Sequence, residues 1–226
     1  MVRHEQRRFN RHPTVHRERR RRHVETSFVN GPRRASLCWL PGEGGSSHNR
    51  STSRRRPLLN PFGLSDDEYP NAVLKAAFDD VDLFGVYLPG QDRKRPHLRY
   101  LIATAQRYNE SGAAALCIGD FNSGRNETDI EINVRSGLLR DEFGTADLYA
   151  ELETVWTEAW AYFHPGEFEY SWYPFRKDPD YVSRGGWRID KAFASPAALA
   201  RMTGAEYDHL FRQDRLTDHS AIVVDV

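Results

Sequence analysis

The sequence predicts an α/β fold, and three observations carry that prediction. Residues 81–88 (VDLFGVYL) are apolar and β-prone and stop at the turn pair Pro89-Gly90. Residues 113–118 (AAALCI) form a continuous apolar run, as expected of a strand buried on both faces. Between them Leu98, Leu101, Ile102, Ala105 and Tyr108 fall at helical spacing and give one apolar face.

The remaining elements follow in order. Asp92 is placed to cap the first helix and Gly112 to end it. After residue 118 a loop begins at Gly119-Asp120-Phe121-Asn122. Helical stretches are expected over 146–153 and 155–162, and strands over 169–173 (EYSWY) and 187–194 (WRIDKAFA). Ser195-Pro196 reads as the start of a short helix, Ser as the N-cap and Pro at the first helical position. Residues 221–226 (AIVVDV) read as a last strand.

The chain has 226 residues, hydrophobic residues at 39% and no run of 18 apolar residues, so no transmembrane helix is expected. Two cysteines cannot build a disulfide framework or a four-cysteine zinc site. Cys117, inside an apolar run, reads as a small buried hydrophobe. No apolar stretch follows the basic start, so no secretory leader is expected and a reducing, cytoplasmic setting is the default.

The formal net charge of zero hides two opposite parts. Residues 1–60 hold fifteen Arg, no Lys, four Glu and no Asp, a balance of +11, and the remainder carries −11. The basic part includes Arg19-Arg20-Arg21-Arg22 and Arg54-Arg55-Arg56 and has too few apolar residues to offset the entropy of ordering. It is expected to be a disordered arm over 1–63, ahead of a domain over 64–226. Three readings of the arm stand beside one another. It is a nucleic-acid-binding tail that neutralises phosphates, a solvated tail, or the product of a G+C-rich gene read in an altered frame, which Arg without Lys favours.

Candidate chemistry lies at strand ends, where α/β proteins place ligands. Asp120 and Asn122 follow the apolar run at 113–118. Asp190 lies in WRID, and Asp218 and His219 sit in TDHS before the last strand. The set is oxygen donors with one imidazole, which suits a hard cation such as Mg²⁺. Each residue also has a plainer reading. Asp-Phe-Asn is a common turn, an Asp-His pair is often a cap or a surface ion pair, and Asp190 could pair with Arg188 or Lys191.

Taken together, VYLP (residues 86–89), IGDFNSG (118–124), EYSWY (169–173), GWRIDKAFASP (186–196) and TDHSAIVV (217–224) resemble the endonuclease/exonuclease/phosphatase superfamily, in particular its exonuclease III and abasic-site endonuclease branch. The resemblance spans about residues 64–226 and implies an α/β sandwich of two similar lobes. It implies that Asp120 orients or deprotonates an attacking water, that Asn122 beside it holds the attacking group, and that Asp218 is a metal-side carboxylate. It further implies that His219 contacts the scissile phosphate, that Asp190 pairs with that histidine and that Tyr87 touches the phosphate. Trp172 and Arg188 would lie near the substrate. Asp120, Asn122 and Asp218 would hold Mg²⁺, with Mn²⁺ as a substitute. The implied partner is DNA or another phosphodiester. A phosphatase or phosphodiesterase acting on a small-molecule or lipid phosphate, and a non-catalytic nucleic-acid-binding fragment, are the alternatives.

The chain departs from the pattern in two places. Lys191 stands where the resemblance often has an aromatic residue or His. The family's N-terminal strands ending in Asn and in Gln-Glu have no counterpart in residues 1–60, where the arm stands instead. Those residues complete the metal site in the family, so weak or no nuclease activity is expected.

Overall fold

The computed structural model describes residues 34–37, 57–131, 143–174 and 185–226. Nine strands and five α-helices are found among them. The strands are β1 (Arg34–Leu37), β2 (Leu58–Leu59), β3 (Val73–Ala77), β4 (Asp82–Tyr87), β5 (Ala115–Asp120), β6 (Thr157–Glu158), β7 (Asp190–Ala194), β8 (Gly204–Asp208) and β9 (Ala221–Asp225). The helices are α1 (Arg95–Ser111), α2 (Ala146–Val155), α3 (Ala159–Phe163), α4 (Pro196–Leu199) and α5 (Leu210–Gln213).

Two sheets result. A six-stranded sheet has the order β2-β3-β4-β5-β7-β6, and a three-stranded sheet the order β1-β9-β8. Only β4 and β5 run parallel, joined by the α1 crossover, and every other pair is antiparallel. Parallel neighbours require such a crossover, because a tight turn cannot return the chain in the same direction.

The continuous apolar run of β5 has a structural reason. Its side chains alternate between two cores, as the period of a strand demands. Ala115 and Cys117 join Phe84, Val86 and Phe193 under Leu98, Leu101 and Ala105 of α1 and Tyr149 and Leu152 of α2. Leu116 and Ile118 face the other way and pack with Ala192, Ala194, Tyr207, Ile222 and Val224, which joins the two sheets. The molecule is thus helices on a central sheet on a second sheet, with β5 buried along its whole length.

Several local expectations are met. The helical face of α1 is buried, and Gly112 ends the helix in the left-handed conformation at φ 67. Ser195 caps α4 by accepting from the Ala198 amide. Asp92 is not the cap: a 3₁₀ turn, Gln91–Lys94, runs directly into α1, and the Asp92 carboxylate accepts from Arg95 Nε at 3.2 Å. The second predicted helix splits, because residues 157–158 pair with β7 as β6 before α3 begins. The predicted strand at 169–173 is reduced to single bridges from Trp172 to Trp187 and His219. The folded part also begins ahead of residue 64, since Leu58 and Leu59 pair with Lys75 and Leu74. Within the Arg-rich arm, the backbone of 34–37 pairs with β9; the rest of 1–56, including both arginine clusters, lies outside the described residues.

One glycine is indispensable. Gly119 has φ 140, and a Cβ there would sit 2.1 Å from the Val86 carbonyl oxygen of the neighbouring strand. The neighbour is sheet backbone and cannot yield. Gly119→Ala is therefore expected to destabilise the fold by roughly 2–5 kcal/mol through strain and overpacking. Urea unfolding measures it; a loss under about 0.5 kcal/mol, the range of a neutral surface change, would show that β4 and β5 do not approach so closely.

Candidate hydrolytic site

The parallel and antiparallel registers around β5 place three chemistry-bearing residues in one row. Tyr87 at the end of β4 is opposite Asp120 at the end of β5, and Asp120 is opposite Asp190 at the start of β7. Residues far apart in the chain are thereby brought side by side, at the carboxyl end of the parallel pair where the sheet edge opens. His219, just before β9, reaches the row from the second sheet. Its Nδ1 is 3.0 Å and 3.1 Å from the two Asp190 carboxylate oxygens.

A cleft of about 380 Å³ lies over this row. Its polar wall is Tyr87, Asp120, Asn122, Asp218 and His219; its apolar wall is Trp172, Trp187 and Ile189. Asp190 stands behind His219, 6% exposed.

Asp120 is only 2% exposed. Burial, and next the charge of Asp190, push its carboxyl up to about 7, against the pull of His219, the Asn122 amide and Lys94. For His219, burial opposes the charged form, but the hydrogen bond and charge of Asp190, aided by Asp120 and Asp218, raise it to about 9. His219 is thus an imidazolium at neutral pH, with Nδ1–H donating to Asp190 and Nε2–H left for the cleft. Tyr87 is pushed up by burial and then by Asp120 and Asp218, so it keeps its phenolic proton.

Asn122 is held tightly. Its backbone turns left-handed at φ 47 rather than continuing the extended strand. Its amide N–H donates to Asp120 Oδ1 at 2.8 Å. Its side-chain Nδ2 donates to Asp120 Oδ2 at 3.1 Å and to the Leu88 carbonyl at 2.8 Å. Both protons of Nδ2 are engaged, so the side chain offers the cleft an acceptor oxygen and not a donor. Asp218 is anchored too, with one carboxylate oxygen accepting from Trp172 Nε1 at 2.9 Å and its carbonyl from the Tyr173 amide.

Of the residues expected at the site, Tyr87, Asp120, Asn122, Trp172, Asp218 and His219 share the cleft and Asp190 supports it. Arg188 does not come there. It is 3% exposed, donates to Asp129 and lies 4.3 Å from the Trp160 ring centroid. Strand alternation explains this: Trp187 and Ile189 face the cleft, so Arg188 between them faces away. Lys191 does not reach the cleft either: its ammonium is 2.8 Å from the Asp129 carboxylate. Ile189, beside Trp187 in the apolar wall, is a cleft residue that the sequence reading passed over. Lys94, whose ammonium donates to the Asn122 carbonyl, was passed over as well; a lysine in a polar turn carries no sequence signal.

The donors fit a divalent cation in kind. Asp120 and Asp218 are hard carboxylates, Asn122 adds an amide oxygen, and the raised Asp120 carboxyl marks negative charge that the protein itself does not fully offset. Mg²⁺ uses one or two carboxylates and keeps waters. Among the described residues no group of three or more His, Cys, Asp or Glu could cage a metal; the donors present suit an ion that keeps several of its waters.

Three comparisons bear on this chain. No curated protein matches it significantly. An abasic-site endonuclease from Archaeoglobus fulgidus is similar in structure, at 20% identity and a TM-score of 0.58, over 75% of this chain and 70% of that one. A 3′-5′ exonuclease from Neisseria meningitidis is similar at 19% identity and 0.58, over 74% and 69%. A 3′ phosphatase from Neisseria bound to a product DNA hairpin is similar at 18% and 0.54, over 68% and 64%. These likenesses concern the fold. The sequence model of the Endonuclease/Exonuclease/phosphatase family matches residues 54–219, well over half of the chain and the whole of the cleft's polar wall; the chain belongs to the endonuclease/exonuclease/phosphatase family.

Proposed function

We propose that this protein is a Mg²⁺-dependent phosphodiester hydrolase of the exonuclease III type, acting on DNA. The observation that carries the reading is the convergence of an acceptor pair, Asp120 with Asn122 Oδ1, and a donor pair, Tyr87 with the His219 imidazolium, on one cleft.

A phosphodiester must be attacked on one side and released on the other. Asp120, in its ionised form, accepts a proton from the attacking water, and Asn122 Oδ1 orients that water by accepting its second hydrogen bond. The P–O bond to water forms as the bond to the leaving 3′ oxygen breaks, and that oxygen takes a proton from solvent. His219 Nε2–H and the Tyr87 hydroxyl donate to the phosphate oxygens, where negative charge accumulates in the transition state. Trp172, Trp187 and Ile189 offer an apolar wall to a sugar. Asp120, Asn122 and Asp218 would hold the cation, which supplies Lewis-acid polarisation of the phosphate when bound.

Turnover of this chain is expected to be weak: among the described residues the cleft holds two carboxylates that could reach a cation, Asp120 and Asp218. The test is nicking of abasic duplex DNA with added Mg²⁺, beside single-stranded DNA and phosphoinositide vesicles. Slow nicking of the abasic duplex, lost in Asp120→Ala and on chelation, supports the reading. Preference for the phosphoinositide would move the substrate class to lipid phosphates, and nicking that persists in Asp120→Ala would end it.

The Asp190–His219 pair predicts a pH dependence. The rate should fall as pH rises through about 9, where His219 loses its proton. Asp190→Asn removes the partner that raises His219, so the alkaline limb should move down toward the ordinary histidine value of about 6.5, with a loss of about 10²–10³ in rate at pH 8. An unmoved alkaline limb would assign that limb to another group.

A further inference from the structure

We propose that Lys94 is a positioning residue of the hydrolytic site: its buried ammonium holds the Asn122 turn so that Asn122 shows the cleft only an acceptor oxygen. The inference rests on the reading of the cleft as hydrolytic and concerns a residue that does not itself line it.

Lys94 ends the 3₁₀ turn Gln91–Lys94 and is 3% exposed. A lysine taken that far out of water is costly unless it is hydrogen-bonded and its charge compensated. The compensation comes from the catalytic corner. Its ammonium donates to the main-chain carbonyl of Asn122, and the charges of Asp120 and Asp92 lie around it. A lysine merely filling space would have been satisfied by any carbonyl of its own turn. This one crosses 28 positions of sequence to the one non-glycine residue of the 118–124 motif whose φ is positive.

That conformation needs holding. A left-handed asparagine is tolerated but strained. Asn122 is fixed at four points: its N–H to Asp120 Oδ1, its two Nδ2 protons to Asp120 Oδ2 and Leu88, and its carbonyl from Lys94. Only Oδ1 is left for the cleft. The Lys94 contact is the one of the four that comes from outside β4, β5 and their immediate ends. Without it the left-handed turn loses its outside anchor and relaxes, which loosens the Nδ2 bonds to Asp120 and Leu88 that the turn aligns and lets the NH₂ reach the cleft in place of the oxygen. A water that must be held by acceptors would then meet a donor.

The experiment uses the full chain with Lys94→Met, which keeps length and apolar stem but removes the donor, and Lys94→Arg, which keeps a donor. Two readouts are taken: steady-state hydrolysis of the abasic duplex, and the NMR resonances of the Asn122 side-chain amide protons, assigned by their loss in Asn122→Asp. In Lys94→Met, kcat is expected to drop about 10–100-fold with KM changed less than about threefold, the range seen when an outer support of a site is removed. The two Asn122 amide protons should move toward solvent values and exchange faster. Lys94→Arg should recover part of both. An Asn122 amide pair unchanged in Lys94→Met overturns the proposal, as does an unchanged kcat in an active enzyme. If the unmodified protein hydrolyses no phosphoester, the hydrolytic reading fails, and the amide resonances alone decide the role of Lys94. If Lys94→Met does not fold, Lys94→Arg is decisive: lost activity with unmoved Asn122 resonances overturns the proposal.

Discussion

Asp120→Asn is expected to lower hydrolysis by about 10²–10⁴-fold, the contribution of a positioned general base, while making the metal-free chain more stable at alkaline pH. The two effects share one cause. Asp120 is buried beside Asp190, and its carboxyl is raised to about 7. A carboxyl whose pKa is higher in the folded state than in the unfolded one binds its proton more tightly when folded. Stability therefore falls as pH rises from about 4 through about 7, and the full deficit is present above that. Asparagine removes the deficit. It should gain roughly 1–4 kcal/mol at pH 8 to 9, since each tenfold difference in proton affinity between the folded and unfolded states is worth about 1.4 kcal/mol. Loss of one acceptor for the Asn122 amide takes back about 1 kcal/mol. At pH 4 the advantage should vanish, because the native carboxyl is then neutral. Urea melts of both proteins in chelator at the two pH values read the difference. Equal stability at alkaline pH would mean that the Asp120 charge is already balanced by protein groups, and the case for a cation at this corner would go with it.

The second large effect is expected far from the reacting atoms. Asp129 is fully buried, and its carboxylate accepts from Arg188 Nε at 2.8 Å, Lys191 Nζ at 2.8 Å and the Arg125 amide at 2.8 Å. Asp129→Ala strands two cations in the interior: Arg188, which cannot shed its charge, and Lys191, which has no water to share. Breaking one partner out of a buried ionic cluster typically costs about 3–5 kcal/mol. That is a large part of the stability of an ordinary domain, so the variant is expected to be largely unfolded at ambient temperature. The contrast is the triple variant Asp129→Leu, Arg188→Met, Lys191→Met. It removes all three charges of the cluster, leaving buried Glu158 held by the Trp160 and Ala161 amides, and should be more stable than Asp129→Ala alone. Urea or thermal unfolding of the two variants side by side reads the order. If the triple variant is the less stable of the two, the cluster acts through shape rather than charge.

Acid sensitivity follows from the same cluster. Burial works against the Asp129 charge, but Lys191 and then Arg188 outweigh it and hold the carboxyl down to about 2. A depressed pKa contributes stability above the ordinary carboxylate range, and the contribution is lost as pH falls from about 4 through about 2. The cluster matters for the site because it fixes the loop after β5 to β7. The Arg188 amide donates to the Asp129 carbonyl, which fixes the backbone between Trp187 and Asp190 at the edge of the cleft.

Reading by pattern succeeded where a residue's neighbours in the chain carry its constraint. β5 was legible because burial on both faces leaves no polar side chain from Ala113 until Asp120. Asp120 and Asn122 were legible because they stand where that run stops. Five strands were not: β1 fell in the expected arm, β6 in an expected helix, and three more carried no strand pattern. β3 is centred on Lys75 and alanines, and β8 reads Gly-Ala-Glu-Tyr-Asp. Their pairing partners, not their propensities, make them strands. β2 is two residues with exposed leucines. The segment at 169–173 failed in the opposite sense: Trp172 bridges to Trp187 and to His219, so a β-prone sequence is used as a junction between sheets rather than as a ladder.

The sequence alone determined the α/β class, the strand that carries the site and the chemical character of its groups, since those depend on residue type and short-range spacing. The tertiary structure decided which of them meet. Tyr87, Asp120 and Asp190 share a row only through strand register, and His219 joins them only because β9 lies in the second sheet. Arg188 was taken away from the cleft and Lys94 brought beneath it by the same means. Burial and the charges of distant segments then set Asp120 to about 7 and His219 to about 9, because desolvation and Coulomb interaction act through space and leave no trace in the order of residues.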